Sequence, residues 1–85
     1  MANAEIRVKN TAKVSIHVEV LDMNDGDELV FSDDLDPQAE SPMFEVKPHP
    51  ENLDYQIEWK ATALDHADKS DTPYVENGEA VCVSV

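Results

Sequence analysis

Two groups of aspartates are the residues of this sequence best suited to chemistry, because carboxylates bind hard cations and basic side chains. The first group lies in the segment 22–27, D-M-N-D-G-D, which partly follows the pattern of a calcium-binding EF-hand loop. That pattern needs oxygen ligands at positions 1, 3 and 5, glycine at position 6 and glutamate at position 12. Here Gly26 stands at position 5 and Asp33 at position 12. The spacing therefore favours a polar hairpin turn that contains Asp22, Asp25 and Asp27.

The second group of aspartates is split between two segments of the chain. Three precede Pro37 and three follow Leu64: Asp33, Asp34, Asp36, Asp65, Asp68 and Asp71. A calcium ion bound between the two segments would need several carboxylate oxygens converging at about 2.3–2.6 Å. We instead expect solvated loop carboxylates that contact a protein partner, with no metal and no cofactor. A calcium-dependent binding module is an alternative.

Nucleophilic catalysis has no support in the sequence. The single cysteine, Cys82, has no basic residue nearby in the chain to activate it, and no serine lies in a Gly-x-Ser-x-Gly motif. The histidines His17, His49 and His66 form no His-x-His or His-x-x-x-His pair for a transition metal. Two glycines are too few for a phosphate-binding loop. We therefore predict that the protein is not an enzyme.

The elements expected to position these residues are β-strands, because apolar and polar residues alternate along most of the chain. The clearest case is the segment 13–21, in which four β-branched residues alternate with polar ones. The pattern predicts seven strands, at 4–10, 13–21, 28–32, 43–47, 53–64, 74–75 and 80–85.

The connections between these strands carry turn signals. The segments 24–27 and 77–78 predict hairpins, because Asn, Asp and Gly tolerate positive φ. The strand 53–64 is unusually long, so a bend or bulge is expected near Ala61. The segment 64–71 is expected to form one helical turn or a loop.

Seven short strands at near-regular spacing predict one domain over residues 1–85, an antiparallel β-sandwich with an immunoglobulin-like arrangement. A small closed β-barrel is the alternative fold, because it would give the same pattern. The inner faces would supply the core, which is expected to contain Ile6, Val8, Val14, Ile16, Val18, Val20, Leu29, Phe31, Phe44, Val46, Tyr55, Ile57, Trp59, Val81, Val83 and Val85.

The formal net charge is −13, from 19 acidic and six basic residues. The segments 4–9, 13–21, 43–47 and 53–64 hold five acids and five bases, so their net charge is zero. The sequence therefore predicts that the whole acidic excess lies on the connections, divided nearly evenly between the two ends of the sandwich.

This charge disfavours direct binding to nucleic acid or to anionic lipid, because phosphate repels it. No apolar run reaches the roughly 18–20 residues of a membrane span. The N-terminus lacks the basic start and apolar stretch of a signal peptide. We expect a cytoplasmic protein, in the host cytoplasm if a phage encodes it.

Three functions follow as hypotheses. The first is a non-catalytic interaction module whose acidic loops bind a basic protein surface. One form of this module mimics nucleic acid. Small acidic proteins of this kind are often encoded by phages and inhibit DNA- or RNA-binding enzymes. The second is a structural or assembly protein that forms a homo-oligomer through edge strands, with the strand 80–85 at an edge or interface. The third is the calcium-dependent module.

Overall fold

The computed structural model describes residues 2–85, which form eight β-strands and no helix. The strands are β1 (Ala4–Asn10), β2 (Ile16–Asp22), β3 (Glu28–Leu35), β4 (Phe44–Val46), β5 (Tyr55–Thr62), β6 (Lys69–Asp71), β7 (Tyr74–Val75) and β8 (Ala80–Val83). The all-β prediction is confirmed. Seven of the strands lie where the alternation of apolar residues predicts them, and β6 is additional.

The strands form two sheets. Sheet I has the order β4-β1-β8, and sheet II has the order β3-β2-β5-β6, with β7 also paired to β5. All pairs are antiparallel except β1 with β8, which run parallel. The sheets pack face to face and do not close, so the β-sandwich is confirmed and the closed barrel is wrong.

The direction of the strands divides the connections between two ends of the sandwich. The upper end contains the connections 11–15, 36–43 and 63–68, and the lower end contains 23–27, 47–54 and 76–79. β6 and β7 pair with β5 one after the other in the same register, and the break between them falls at Pro73. A proline suits this edge position because it has no N–H to donate to a ladder.

The core lies between the inner faces of the two sheets. Most of the predicted core residues are buried there: Ile6, Val8, Ile16, Val18, Val20, Val46, Ile57, Trp59, Val81 and Val83. Others are only partly buried against that core: Val14, Phe31, Phe44, Tyr55 and Val85. The rings of Phe31 and Phe44 stack at a centroid distance of 5.6 Å where β3 meets β4.

Leu29 is the one predicted core residue that is exposed, by 50%. The register of β2 with β3 shifts between Val20 and Leu21, which pair with Phe31 and Leu29. Val30 is therefore an extra residue on β3, and it sends Leu29 to the outer face. The irregularity predicted near Ala61 is wrong, because β5 pairs with β2 in one unbroken register and ends at Thr62.

Two further expectations differ in part from the structure. The segment 64–71, expected as one helical turn or a loop, forms a loop over 64–68, and its last three residues form β6 against β5. The segment 77–78 does form a turn, with Gly78 at φ 85°, but it joins β7 of sheet II to β8 of sheet I and is not a hairpin. Turn chemistry alone predicts a reversal of the chain and not which strands the reversal connects.

The hairpin predicted at 24–27 is confirmed. Gly26 and Asp27 both have positive φ, at 63° and 59°, and the Glu28 N–H donates to the Asp25 carbonyl at 3.2 Å. Two consecutive residues with positive φ closed by this bond match the pattern of a type I′ turn, which forms the last part of the five-residue connection 23–27. The turn joins β2 to β3.

A fully buried asparagine, Asn10, joins the two sheets at the upper end. Its side-chain nitrogen donates to the carbonyls of Val14 and Leu35, both at 2.9 Å, and its side-chain oxygen accepts from the Ala12 N–H at 2.8 Å. Leu35 ends β3 in sheet II, whereas Asn10 ends β1 in sheet I. Each such bond contributes about 1 kcal/mol, and leaving a buried partner unpaired costs more.

Replacing Asn10 should therefore destabilise the fold strongly. We expect Asn10→Ala to lower the free energy of unfolding by about 2–4 kcal/mol, because three backbone groups, one in a buried and two in part-buried hydrogen bonds, lose their partner. Asn10→Asp should cost at least as much at neutral pH, since its carboxylate would face two carbonyl oxygens. Urea denaturation measures both, with the exposed Asn3→Ala as the control. Equal midpoints for Asn10→Ala and Asn3→Ala would contradict this role for Asn10.

Candidate functional site

The acidic residues are distributed unevenly between the two sheets. The strands of sheet I hold two acids and two bases, whereas those of sheet II hold seven acids and two bases. The connections hold the other ten acids and two bases. The net charges are therefore zero for sheet I, −5 for sheet II and −8 for the connections.

The prediction that the whole excess lies on connections is wrong in part. β3 extends to Leu35, so Asp33 and Asp34 lie within a strand, and Asp71 lies in β6. These aspartates belong to the two outermost strands of sheet II. A charged residue on an edge strand opposes pairing with another chain, so the same carboxylates both carry the charge and protect the edges.

Two strands separate the two halves of the second aspartate group. β3 carries Asp33 and Asp34 and leads into Asp36, whereas Asp68 and Asp71 lie at β6 on the opposite edge. Within residues 2–85, no three His, Cys, Asp or Glu side chains lie close enough to hold a metal ion. The carboxylates are thus spread across the upper part of sheet II and do not converge on one point.

Asp22 differs from the other candidate residues because its side chain is buried, with 1% of the residue exposed. One carboxylate oxygen accepts from the Asn24 N–H at 3.1 Å, and the other accepts from the Lys47 N–H at 2.8 Å. Lys47 follows β4 of sheet I, whereas Asp22 ends β2 of sheet II. Asp22 therefore joins the sheets at the lower end, as Asn10 does at the upper end.

Asp25 belongs to a small charged group at the lower end. Its carboxylate lies 3.0 Å from the Lys47 ammonium and accepts a hydrogen bond from the Glu28 carboxyl when Glu28 is protonated. The bond with Glu28 and the pairing with Lys47 lower the pKa of Asp25, and the same bond with Asp25 raises the pKa of Glu28. The Asp25 carboxylate raises the pKa of Lys47. Glu28 is thus the member of the group whose charge is unfavourable.

The remaining candidate residues are exposed. Asp27 lies in the type I′ turn, and Asp65 has positive φ, at 62°, in the connection between β5 and β6. Asp36 accepts a hydrogen bond from the Ser15 hydroxyl at 2.9 Å. Asp68 precedes β6 and is exposed. All of these side chains are placed where a partner surface can contact them.

A row of three polar side chains on the outer face of sheet II was not predicted from the sequence. The Asp34 carboxylate lies 2.7 Å from Nδ1 of His17, and Nε2 of His17 lies 3.4 Å from the Ser32 hydroxyl. β3 and β2 position the row, because Asp34 pairs directly with His17 and Ser32 lies two residues earlier on the same face. The order Asp-His-Ser is that of a serine nucleophile with its base and orienting acid.

The surroundings of this row do not suit catalysis. A cleft of about 660 Å³ lies beside it, lined by His17, Asp34, Asp36 and the exposed Leu64, but Ser32 does not line the cleft. The Asp34 side chain is 80% exposed, so water reaches it freely. A serine nucleophile also needs hydrogen-bond donors preorganised around the oxyanion in a site that excludes water. The row is therefore best described as a cross-strand polar contact.

Comparison with known proteins adds no relative: no family model, no curated protein and no solved structure matches this chain. None of the residues that the structure describes forms a helix long and apolar enough to cross a membrane. The structure therefore defines a small acidic β-sandwich, and its function has to be argued from its surface.

The charged group at the lower end predicts a pH-dependent stability. A raised pKa means that Glu28 favours the fold when protonated and that this contribution is lost as the pH rises. Glu28→Gln should therefore raise the melting temperature at about pH 7, and the gain should disappear near pH 3, where Glu28 itself is protonated. Glu51→Gln at the same end is the control for the loss of one negative charge. A gain that is the same for both variants would contradict the coupling between Asp25 and Glu28.

The polar row predicts no serine-dependent hydrolysis. We expect Ser32→Ala and the wild-type protein to hydrolyse p-nitrophenyl acetate at the same rate, because Ser32 is exposed and its site does not exclude water. Any residual rate should instead depend on the imidazole of His17 and fall in His17→Gln. A drop of roughly tenfold or more in Ser32→Ala would show that the row is catalytic.

Proposed function

We propose that the protein is a non-catalytic interaction module that binds a basic protein surface through the acidic side of its sandwich. The observation that carries the proposal is the one-sided charge, zero on sheet I and −5 on sheet II. On this proposal the contacting residues are the aspartates of β3, of β6 and of the connections, all exposed except the half-buried Asp25: Asp25, Asp27, Asp33, Asp34, Asp36, Asp65, Asp68 and Asp71. Asp22 supports the fold beneath them.

The proposal has a physical basis in long-range attraction. A charge of −13 steers a basic partner toward the protein and raises the association rate, and salt screens this effect. The uneven distribution also orients the partner, because the negative charge of sheet II attracts a basic surface and the neutral strands of sheet I attract it little. Charges at the rim of an interface act mainly on the association rate and less on the final affinity.

Mimicry of nucleic acid is the more specific form of this proposal. Its support is the arrangement of Asp33, Asp34 and Asp36 along one extended segment, where carboxylates follow each other as phosphates do along a strand. A partner that normally binds phosphates would meet them with Lys and Arg. On this form of the proposal the protein is an inhibitor of a DNA- or RNA-binding protein, and we infer a cytoplasmic location, in keeping with the free and exposed Cys82.

Self-association through sheet edges is the second candidate function. Its support is β8, which forms an edge of sheet I, as the sequence predicts for a strand in this position. Edge strands pair readily with other chains. The two functions differ in their response to salt, because salt weakens attraction between opposite charges and relieves repulsion between like copies.

The proposed function predicts that charge removal matters on one sheet and not on the other. Asp33→Asn with Asp34→Asn should lower the association rate with a basic partner, captured from extract of the native host, by about 3–10-fold at low salt. Both substitutions keep the side-chain oxygens that accept from the Asp34 N–H and contact His17. Glu5→Gln with Glu45→Gln removes the same charge from sheet I and should change the rate less than about twofold.

Surface plasmon resonance at roughly 50 mM and 500 mM salt measures these rates. Equal effects of the two double variants, or an affinity that does not change between the two salt concentrations, would contradict the proposal.

A further inference from the structure

The edge of β8 that faces away from β1 is open. In the parallel ladder, Arg7 N–H donates to the Glu79 carbonyl at 3.1 Å and Thr11 N–H donates to the Val83 carbonyl at 2.9 Å. Since alternate residues of a strand face opposite neighbours, the N–H and C=O groups of Ala80 and Cys82 point away from β1. No strand among the described residues pairs with them.

β8 is also the only edge without a feature that opposes pairing, within the part of the chain that the structure describes. β4 is three residues long and lies between Pro42 and Pro48. β3 carries a bulge and Asp33, and the β6–β7 edge carries Lys69 and Pro73. Bulges, prolines, charges and short length are the devices that protect sheet edges. β8 instead has the small, neutral and exposed side chains of Ala80 and Cys82.

The sandwich has an unfilled strand position beside this edge. Sheet I has three strands, whereas sheet II has four positions because β6 and β7 share one. β4 contacts β3, which places β1 over β2 and β8 over β5, so nothing in sheet I covers β6. The exposure agrees: Lys69 and Asp71 are exposed although they pair with buried Ala61 and Trp59.

The shape of this notch suits a single strand and opposes a second copy of the sandwich joined symmetrically through β8. In each copy, β6 projects one strand width, about 4.8 Å, beyond β8. If two copies paired symmetrically through their β8 edges, β6 of each copy would therefore overlap β5 of the other. A lone extended segment has no second sheet and avoids this clash. It would run beside β8 and over β6, with four backbone hydrogen bonds available from Ala80 and Cys82.

The lower end of the notch is acidic. A cleft of about 550 Å³ opens there between β7 and the residue that precedes β8, and it is lined by Tyr55, Tyr74, Val75, Asp54, Glu76 and Glu79. Glu79 Oε1 accepts from the Glu76 N–H at 2.9 Å, which holds the Glu79 carboxylate against the backbone of Glu76. Carboxylates beside tyrosine and valine suit a Lys or Arg side chain, whose stem is apolar and whose end is cationic.

We propose that the open edge of β8, together with this notch, binds an extended polypeptide segment that carries Lys or Arg. The segment adds to sheet I as a fourth strand, and its basic residue enters the cleft at Asp54, Glu76 and Glu79. Backbone pairing supplies the affinity and the cleft supplies the preference for a basic residue, as in other cases of strand addition. This inference rests on the proposed function, because it names the form of the basic partner.

The test uses a synthetic probe, the fluorescein-labelled peptide Lys-Arg-Val-Thr-Val-Arg-Lys, which is basic at both ends and can bind in either direction. Its control is the same peptide with every central backbone nitrogen methylated, which keeps the charge and prevents strand pairing. We expect the methylated peptide to bind at least about tenfold more weakly in fluorescence anisotropy, because it cannot form backbone hydrogen bonds. Hydrogen exchange by NMR should show the amides of Ala80 and Cys82 slowed by at least about tenfold with the unmethylated peptide only.

Two pairs of variants locate the site. Cys82→Pro removes an outward N–H that makes no hydrogen bond in the fold. It should therefore weaken peptide binding about tenfold with little change in melting temperature. The matched variant Cys82→Ser keeps this N–H and should bind the peptide as the wild type does. Glu76→Gln with Glu79→Gln keeps the hydrogen bond between these residues and should weaken binding and reduce its salt dependence. Glu5→Gln with Glu45→Gln is the control for charge.

The outcomes separate this inference from the proposed function. Equal binding of the two peptides with fast exchange at Ala80 and Cys82 would overturn strand addition and leave acidic-surface binding intact. No binding of either peptide at low salt would also overturn strand addition, and the proposed function would then be judged by the variants of β3 alone.

Discussion

The structure depends on aligning two sheets that no backbone ladder joins within residues 2–85, although the chain crosses between them at four of its seven connections. The apolar core drives them together without fixing their alignment, because hydrophobic contact is not directional. Asn10 and Asp22 supply the direction: each is buried at an end of a central strand and hydrogen-bonds backbone groups belonging to the other sheet. Buried polar groups are costly unless satisfied, and within residues 2–85 no buried side-chain nitrogen or oxygen lacks a partner. Misalignment of the sheets would break both sets of bonds, so the two residues favour one arrangement over its neighbours.

The alternation of apolar residues predicts the strands well where one face is buried along the whole strand. β1, β2 and β5 are of this kind, and Ile6, Val18 and Ile57 are buried as predicted. Prediction fails where another constraint overrides the alternation. The extra residue Val30 reverses the orientation of Leu29, and β6 has no apolar residue at all, because it forms by pairing with β5 and covers no core. Pairing of this kind depends on which strand comes to lie alongside, which a local pattern does not contain.

The same limit applies to the candidate site. The abundance and position of the aspartates can be read from the sequence, and the placement of most of them on exposed surface follows. Three features required the register or the topology. One is the burial of Asp22, the second is the row of Asp34, His17 and Ser32, and the third is the concentration of charge on sheet II. Asp22 stands next to Asp25 and Asp27 in a segment whose polarity suggests exposure throughout. Only its position as the last inward-facing residue of β2 separates it from them.

The acidic surface and the open edge of β8 explain each other. An unprotected edge exposes a protein to uncontrolled pairing with its own copies, and natural sandwiches usually place a charge, a proline or a bulge there. Here the protection is indirect. A net charge of −13 makes copies repel one another, and β6 blocks the symmetric approach of a second sandwich. Neither obstacle acts against a lone basic segment, which is attracted by the charge and narrow enough for the notch. The arrangement that keeps the protein from pairing with itself is therefore the one that selects for a partner of opposite charge.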